Sequence, residues 1–160
     1  MGIKSQQKAE RKALPFNIRN ILVPVDFSDN SSEALKYAAG LAGQFGARIA
    51  LLHVVEPAPF MSDLRNVPFT LSDKQLELKA ETDLEALAVL HMDPKIDTSR
   101  IVKRGKAYQE IVKASKQTKT DLIVISTHGY TGLKHTIMGS TAERVVRHAG
   151  CAVLVLRTSR

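Results

Sequence analysis

The stretch that decides the fold is DLIVISTHG, residues 121–129. Its first half is a short run of aliphatic and β-branched residues without polar alternation, which is typical of a strand covered on both faces. Such strands belong to parallel sheets with helices on either side. Its polar, glycine-containing second half predicts a loop at the carboxyl end of the strand, the edge where open α/β sheets bind ligands.

Similar runs on either side of this stretch predict further strands. Pro24 lies inside the first of them and counts against a central position, because proline cannot donate to the ladder of a sheet. The run at Ile101 and Val102 is short and weakly apolar, so we expect it near an edge of the sheet. The predicted strands are 21–27, 48–55, 101–105, 121–126 and 152–156.

The segments between the strands repeat apolar residues at helical spacing. In the first of these segments, Asn30 and Glu33 have capping-box spacing. Phe45 completes its apolar stripe, and Gly43 and Gly46 end the helix. The predicted helices are 30–46, 72–93, 107–118 and 140–148.

Two features surround the second helix. Ser72 and Gln75 are spaced to cap its start, and its apolar stripe ends at Leu90 before Pro94 forbids continuation. The preceding segment, 57–71, contains three prolines and no clear period, which indicates a long connection.

Alternation of strand and helix defines the expected architecture. Right-handed crossovers between the strands imply one open, five-stranded parallel sheet, doubly wound in the order βαβαβαβαβ. The chain has 160 residues, which suits a single α/β domain, assigned here to 20–160. Residues 1–19 are polar, without a sustained period, and are expected to form a flexible basic arm.

The net charge of +7 raises the possibility of nucleic-acid binding. Much of the excess lies in the arm, which holds five basic residues and one acidic residue. A second basic cluster lies within 100–119, where Tyr108 is its only aromatic residue, and charged helix faces are usually just solvated. We therefore do not expect nucleic acid to be the partner.

Apolar runs and cysteine usage bear on the cellular compartment of the protein. Its apolar runs are too short to span a bilayer, and its N-terminus shows no apolar signal core. The single cysteine, Cys151, cannot form an intrachain disulfide and is expected to be a small core residue. We expect a cytoplasmic protein with no membrane contact.

Two loops at the carboxyl ends of strands carry candidate chemistry. Asp26 follows the first strand, and the segment 126–140 contains three glycines and leads into the last helix. Glycine allows close backbone approach, and unpaired amides at a helix start attract anions. These residues predict a phosphate pocket, although the glycine and lysine pattern of a P-loop is absent.

The chain resembles the universal stress protein family along nearly all of residues 20–157. The resemblance is carried by the segments 20–28, 50–54, 121–129, 138–146 and 152–156. It implies a homodimer that contacts its partner copy through strand 152–156, and a cleft that binds ATP.

The nucleotide motif of that family is Gly, two residues, Gly, nine residues, Gly and then Ser or Thr. Here Gly129, Gly139 and Ser140 match the motif, whereas Ser126 occupies the position of the first glycine. A side chain at that position alters how the backbone can approach a phosphate. ATP stays the favoured ligand, with the Ser126 hydroxyl as an additional partner or an obstacle.

The resemblance also assigns roles to individual residues. It implies that Asp26 and the backbone of Val54 lie near the adenine and ribose. The phosphates would be held by Gly129, Gly139, Ser140 and Thr141. A divalent cation such as Mg²⁺ could bridge the phosphate oxygens.

Simpler roles remain open for several of these residues. Ser140 and Glu143 have capping-box spacing, so we expect Ser140 to cap the last helix whatever else it does. Asp26 could serve only to cap the first helix. His128 and His135 have no third ligand at a recognisable spacing, which favours structural or surface roles over a metal site.

Three functions follow in order of preference. The first is a nucleotide-binding stress or signalling module, because no set of nucleophile, base and orienting residue is evident. The second is a slow ATPase or phosphotransferase, which the phosphate loop and Lys134 support but for which no water-positioning base is evident. The third is an interaction protein without a nucleotide, which the serine at position 126 keeps open.

Overall fold

A computed structural model describes residues 17–56, 73–127 and 139–157. Within these residues, five strands and four helices alternate. The strands are β1 (Asn20–Pro24), β2 (Arg48–Val55), β3 (Thr98–Arg104), β4 (Leu122–Ser126) and β5 (Ala152–Leu156). The helices are α1 (Asp29–Phe45), α2 (Asp73–His91), α3 (Ala107–Gln117) and α4 (Ser140–His148).

The strands form one parallel sheet in the order β3-β2-β1-β4-β5, which confirms the predicted fold class. Strand β3 lies at one edge, as its weak apolar character predicted, and β5 lies at the other. Between β1 and β4 the direction of chain progression reverses. This reversal is the topological switch point of the sheet.

Alternate residues of each central strand feed two separate cores. Ile21 and Val23 of β1 pack with α1 and α2 on one face, whereas Leu22 packs with α3 and α4 on the other. Both cores are fully enclosed at their centres, since Leu22, Leu35 and Ile123 are 0% exposed. Burial on both faces explains why the strands are nearly continuous apolar runs.

Pro24 is tolerated in β1 although that strand is central. It is the last residue of the strand and pairs in register with Leu52 of β2. In the described chain β1 pairs with β4 only at Ile21 and Leu22, so the ladder on that side has ended before the proline. The missing amide therefore falls where the sheet is already opening.

Helix ends differ from the sequence expectation in particular places. Helix α1 is capped by Ser28, whose Oγ accepts from the Ser31 amide at 3.2 Å, so the prediction that Asn30 begins the helix was wrong. Gly43 lies inside α1, and only Gly46, at φ 65°, ends it. The Ser72 start of α2 lies outside the described residues.

Some predicted stripe residues face solvent. Phe45 is 47% exposed and Leu90 is 72% exposed, while the stripes are completed by Ala42 and Ala88. These corrections follow from helix geometry, because 3.6 residues per turn shift a stripe by one position over a few turns. Within the described residues, no helix is both long enough and apolar enough to cross a membrane.

Candidate functional site

A cleft of about 280 Å³ opens at the carboxyl ends of β1 and β4. One wall comes from the ends of β1 and β2, residues 24–26, 52–54 and 56, and includes Asp26 and Val54. The opposite wall comes from the end of β4 and the start of α4, residues 125–127 and 139–142. The cleft lies at the switch point, where ligands bind in open α/β sheets.

The fold thus brings together six of the seven residues predicted for the site. They are Asp26, Val54, Ser126, Gly139, Ser140 and Thr141. Gly129 lies outside the described residues, as do His128, Lys134 and His135.

Asp26 is held by the turn that follows β1. Its Oδ1 accepts from the Ser28 amide at 3.1 Å and from the Ser28 hydroxyl at 2.5 Å. The helix cap itself is Ser28, so Asp26 does not cap α1 but orders the residue that does. One carboxylate oxygen of Asp26 is therefore committed to the turn.

Phe27 and His53 support the same turn. Phe27 adopts φ 63°, a left-handed conformation that is strained for a bulky side chain. Its ring lies 4.4 Å from the ring of His53, centroid to centroid, and His53 Nδ1 lies 2.9 Å from the Val25 carbonyl. Because a carbonyl only accepts, Nδ1 is the protonated nitrogen. Together these contacts hold the conformation that carries Asp26.

Backbone hydrogen bonds at the end of β4 connect the opposite wall of the cleft to edge strand β5. Ser126 and Thr127 are buried, at 8% and 6% exposure. The Thr127 amide donates to the Leu156 carbonyl of β5 at 2.9 Å, and the Thr127 carbonyl accepts from the Gly139 amide at 2.6 Å. Thr127 thus links edge strand β5 directly to the start of α4. It also uses the Gly139 amide, which sequence reasoning had counted among the open donors.

The start of α4 corrects the predicted capping box. Gly139 is the N-cap, with extended angles of φ −65° and ψ 149°, and it has no side chain with which to cap. Ser140 is the first helical residue, and Glu143 pairs with Arg147 at 2.7 Å. The first amides of a helix have no intrahelical acceptor, and within the described residues no backbone acceptor is seen for the amides of Ser140 and Thr141.

The start of α3 borders the same cleft, but its first amide is already hydrogen-bonded to a side chain of the protein. Its N-cap, Lys106, makes no side-chain capping bond. Instead Glu56, immediately after β2, accepts from the Ala107 amide at 2.6 Å through Oε1. Glu56 is a residue of the cleft that the sequence patterns did not single out. The available signal was an acidic residue directly after a predicted strand, at the edge of the sheet where ligands bind.

Charge in the cleft comes from few groups. Among its described lining residues there are two carboxylates, Asp26 and Glu56, and no lysine or arginine. Across the described part of the chain, no group of three or more His, Cys, Asp or Glu side chains could hold a metal ion. Among these described lining residues, the groups that could meet an anion are therefore backbone amides and hydroxyls.

Cys151 lies before β5 and does not line the cleft. Burial raises the pKa of its thiol above the ordinary value, and the nearby Asp121 carboxylate adds to that effect. A raised pKa disfavours the nucleophilic thiolate, which agrees with a packing role for this residue.

Sheet order and cleft position define the class: a doubly wound α/β domain with its site at the carboxyl-edge switch point. Residues 17–157 match the universal stress protein family, and the chain belongs to that family. Universal stress protein MJ0531 of Methanocaldococcus jannaschii is 32% identical over 87% of this chain and 82% of its own length. The solved structure of protein MJ0577 from the same organism is 26% identical, with a TM-score of 0.75 over 90% of this chain and 99% of that one.

Two further structures contain nucleotides. A universal stress protein solved in complex with cAMP is 17% identical, with a TM-score of 0.64, and covers 89% of this chain and 99% of its own. Another, from Archaeoglobus fulgidus in complex with dAMP, is 19% identical, with a TM-score of 0.63 over 87% and 98%. At these identities the likeness shows a shared fold.

Proposed function

We propose that this universal stress protein binds ATP in the cleft between β1 and β4, with the phosphates at the start of α4. The observation that carries the proposal is the N-terminus of α4, which faces the cleft behind a glycine cap without a side chain. Backbone amides and the positive end of the helix dipole together favour a polyphosphate there. The adenosine would lie against Asp26 and Val54.

The nucleotides of the two related structures support the choice of ligand. Both cAMP and dAMP contain adenine, so this fold accommodates that base in at least two relatives. The cleft volume of about 280 Å³ is close to the lower end of ligand pockets, roughly 300 to 1,000 Å³. A single mononucleotide is thus a better match than a larger cofactor.

Magnesium would complete the charge balance. The described lining of the cleft supplies no lysine or arginine to offset a triphosphate. Mg²⁺ is commonly held by substrate phosphates together with one or two carboxylates, and Asp26 is a carboxylate of this cleft. We therefore propose that ATP enters with its cation rather than meeting a prebuilt metal site.

The biological role proposed is that of a nucleotide-responsive dimer. Residues 153–156 of β5 are half-buried and apolar on an edge strand, and such edges are prone to pair with another chain. Thr127 connects this strand to the start of α4 through two backbone hydrogen bonds. Occupancy of the cleft would bias the geometry of β5 and thus the contact with a second copy or another partner.

Thermal unfolding tests the binding proposal directly. A ligand that binds only the folded state raises the free energy of unfolding by RT ln(1 + [L]/Kd), about 2.7 kcal/mol at a hundredfold excess over Kd. We expect millimolar Mg-ATP to raise the melting temperature clearly, and adenosine to raise it less. No shift with any adenine nucleotide would overturn the proposal. Sedimentation with and without Mg-ATP then tests the dimer.

One observation favours a second candidate, an interaction protein that binds no nucleotide. The Gly139 amide is already bonded to Thr127, and Ser126 stands at the first glycine position of the family motif. Both features reduce the backbone surface open to phosphate. An unchanged melting temperature combined with a stable dimer would select this candidate, and steady phosphate release that depends on Asp26 would instead indicate hydrolysis.

A further inference from the structure

Glu56 occupies a second helix start that borders the nucleotide cleft. Its Oε1 accepts from the Ala107 amide at 2.6 Å, across 51 positions of sequence. This bond takes the place of a side-chain cap at the start of α3, since the N-cap Lys106 makes none. The first amide of α3, which would otherwise be free to meet a ligand anion, is satisfied by the protein itself.

The Glu56 side chain also lines the cleft. Within the described residues no ion pair neutralises Glu56, although Asp26 stands on the same wall as a second carboxylate. At the start of α3 a carboxylate is bonded to the first amide. At the start of α4 there is no capping side chain. The two helix starts that border the cleft therefore differ in the charge beside their first amides.

We propose that Glu56 is a specificity-determining residue that excludes phosphate from the α3 end of the cleft and so fixes the direction of the bound nucleotide. This inference rests on the proposed function, because it concerns the same cleft. The ligand class that fits is one with negative charge at a single end, such as a nucleoside 5′-phosphate. A ligand with phosphates at both ends is disfavoured by repulsion from Glu56.

The test uses tripolyphosphate as a probe without a base, followed by the backbone amide NMR signals of the folded protein. In the native chain we expect the Ser140 and Thr141 signals to shift while the Ala107 signal does not. Glu56→Ala removes both the charge and the acceptor, so the Ala107 signal should then also shift. A silent Ala107 signal in this variant overturns the inference.

Glu56→Gln separates charge from occupancy, since glutamine keeps an acceptor oxygen for the Ala107 amide. Charges near a helix start change affinities by about two- to fivefold, so we expect tripolyphosphate to bind this variant tighter by that factor. Unchanged affinity in Glu56→Gln also counts against the inference and serves where the alanine variant fails to fold. Glu81→Gln is the matched control, an exposed residue of α2 outside the cleft lining that makes the same change in net charge.

The two proposals fail in distinguishable ways. If the Ser140 signal does not respond to tripolyphosphate in the native chain, the proposed phosphate site fails. The Ala107 signal of Glu56→Ala still reports on exclusion by Glu56 in that case. If the Ser140 signal shifts in the native chain and the Ala107 signal of Glu56→Ala does not, the phosphate site is supported and the proposed role of Glu56 is wrong.

Discussion

Helices α3 and α4 pack side by side on one face of the sheet, and both begin at the same cleft, but their starts differ. Helix α3 has its first amide bonded to Glu56, whereas α4 begins after a glycine without a capping side chain. In a parallel sheet all following helices begin at the same edge. A helix start whose first amide is already bonded offers less to an anion, so the two starts differ in what they can bind.

The largest expected effect comes from making α4 resemble α3. Ser140→Asp places a carboxylate in the first turn of α4, where its negative charge repels a phosphate at the same helix start. Charges near a helix start change affinities by about two- to fivefold, so ATP affinity should fall by about that factor. Without ligand, the variant should be more stable than the native chain by about 0.3 to 1 kcal/mol.

Calorimetric titration with Mg-ATP measures the first effect, and urea unfolding measures the second. Ser140→Ala is the neutral counterpart, which removes only the hydroxyl and should lose less affinity than the aspartate. Native affinity in Ser140→Asp would mean that the phosphates do not lie at α4.

A smaller effect is expected at the third helix start on this edge, that of α1. Ser28→Ala removes the acceptor of the Ser31 amide and one of the two hydrogen bonds to Asp26 Oδ1. Loss of such a cap costs about 1 kcal/mol, to be measured as the free energy of unfolding in urea. The ATP affinity should also fall, because Asp26 is less firmly held.

Ser32→Ala provides the control for that change. Its hydroxyl donates to the Ser28 carbonyl at 3.1 Å from inside the helix, a bond that adds little to helix stability. Equal losses of stability in the two variants would show that Ser28 is not acting as a cap.

Much of the fold was predictable because its signals are local. Buried strands covered on both faces require continuous apolar runs, and these gave the strand positions and their alternation with helices. The edge position of β3 followed from its weak apolar character. The location of the cleft followed from topology alone, as a property of parallel sheets.

The details of the site depend on contacts that a local pattern does not encode. Sequence spacing favoured caps at Asn30 and Ser140, but Ser28 and Gly139 hold the extended conformation that a cap needs. Glu56 meets its partner across 51 positions, so only the packing of α3 beside β2 reveals it. The strain at Phe27 is likewise visible only once the backbone angles are known.

The smallest expected effect is at Glu143. It tests whether the general field around α4 or the occupation of its amides governs phosphate binding. Glu143 lies in the first turn of α4 but pairs with Arg147, and both side chains are exposed, at 57% and 69%. Glu143→Gln should lower the free energy of unfolding by about 0.3 to 0.5 kcal/mol, the usual value for such a pair. Its effect on ATP affinity should be a rise of less than about twofold, because the surface charge is screened.

Both values come from the urea and calorimetric measurements already described. If affinity rises in Glu143→Gln as much as it falls in Ser140→Asp, the general field around α4 governs binding, and the position of the charge is unimportant. If only the change at position 140 matters, occupation of the helix amides governs binding. That outcome would make the difference between the starts of α3 and α4 the basis of ligand direction in this cleft.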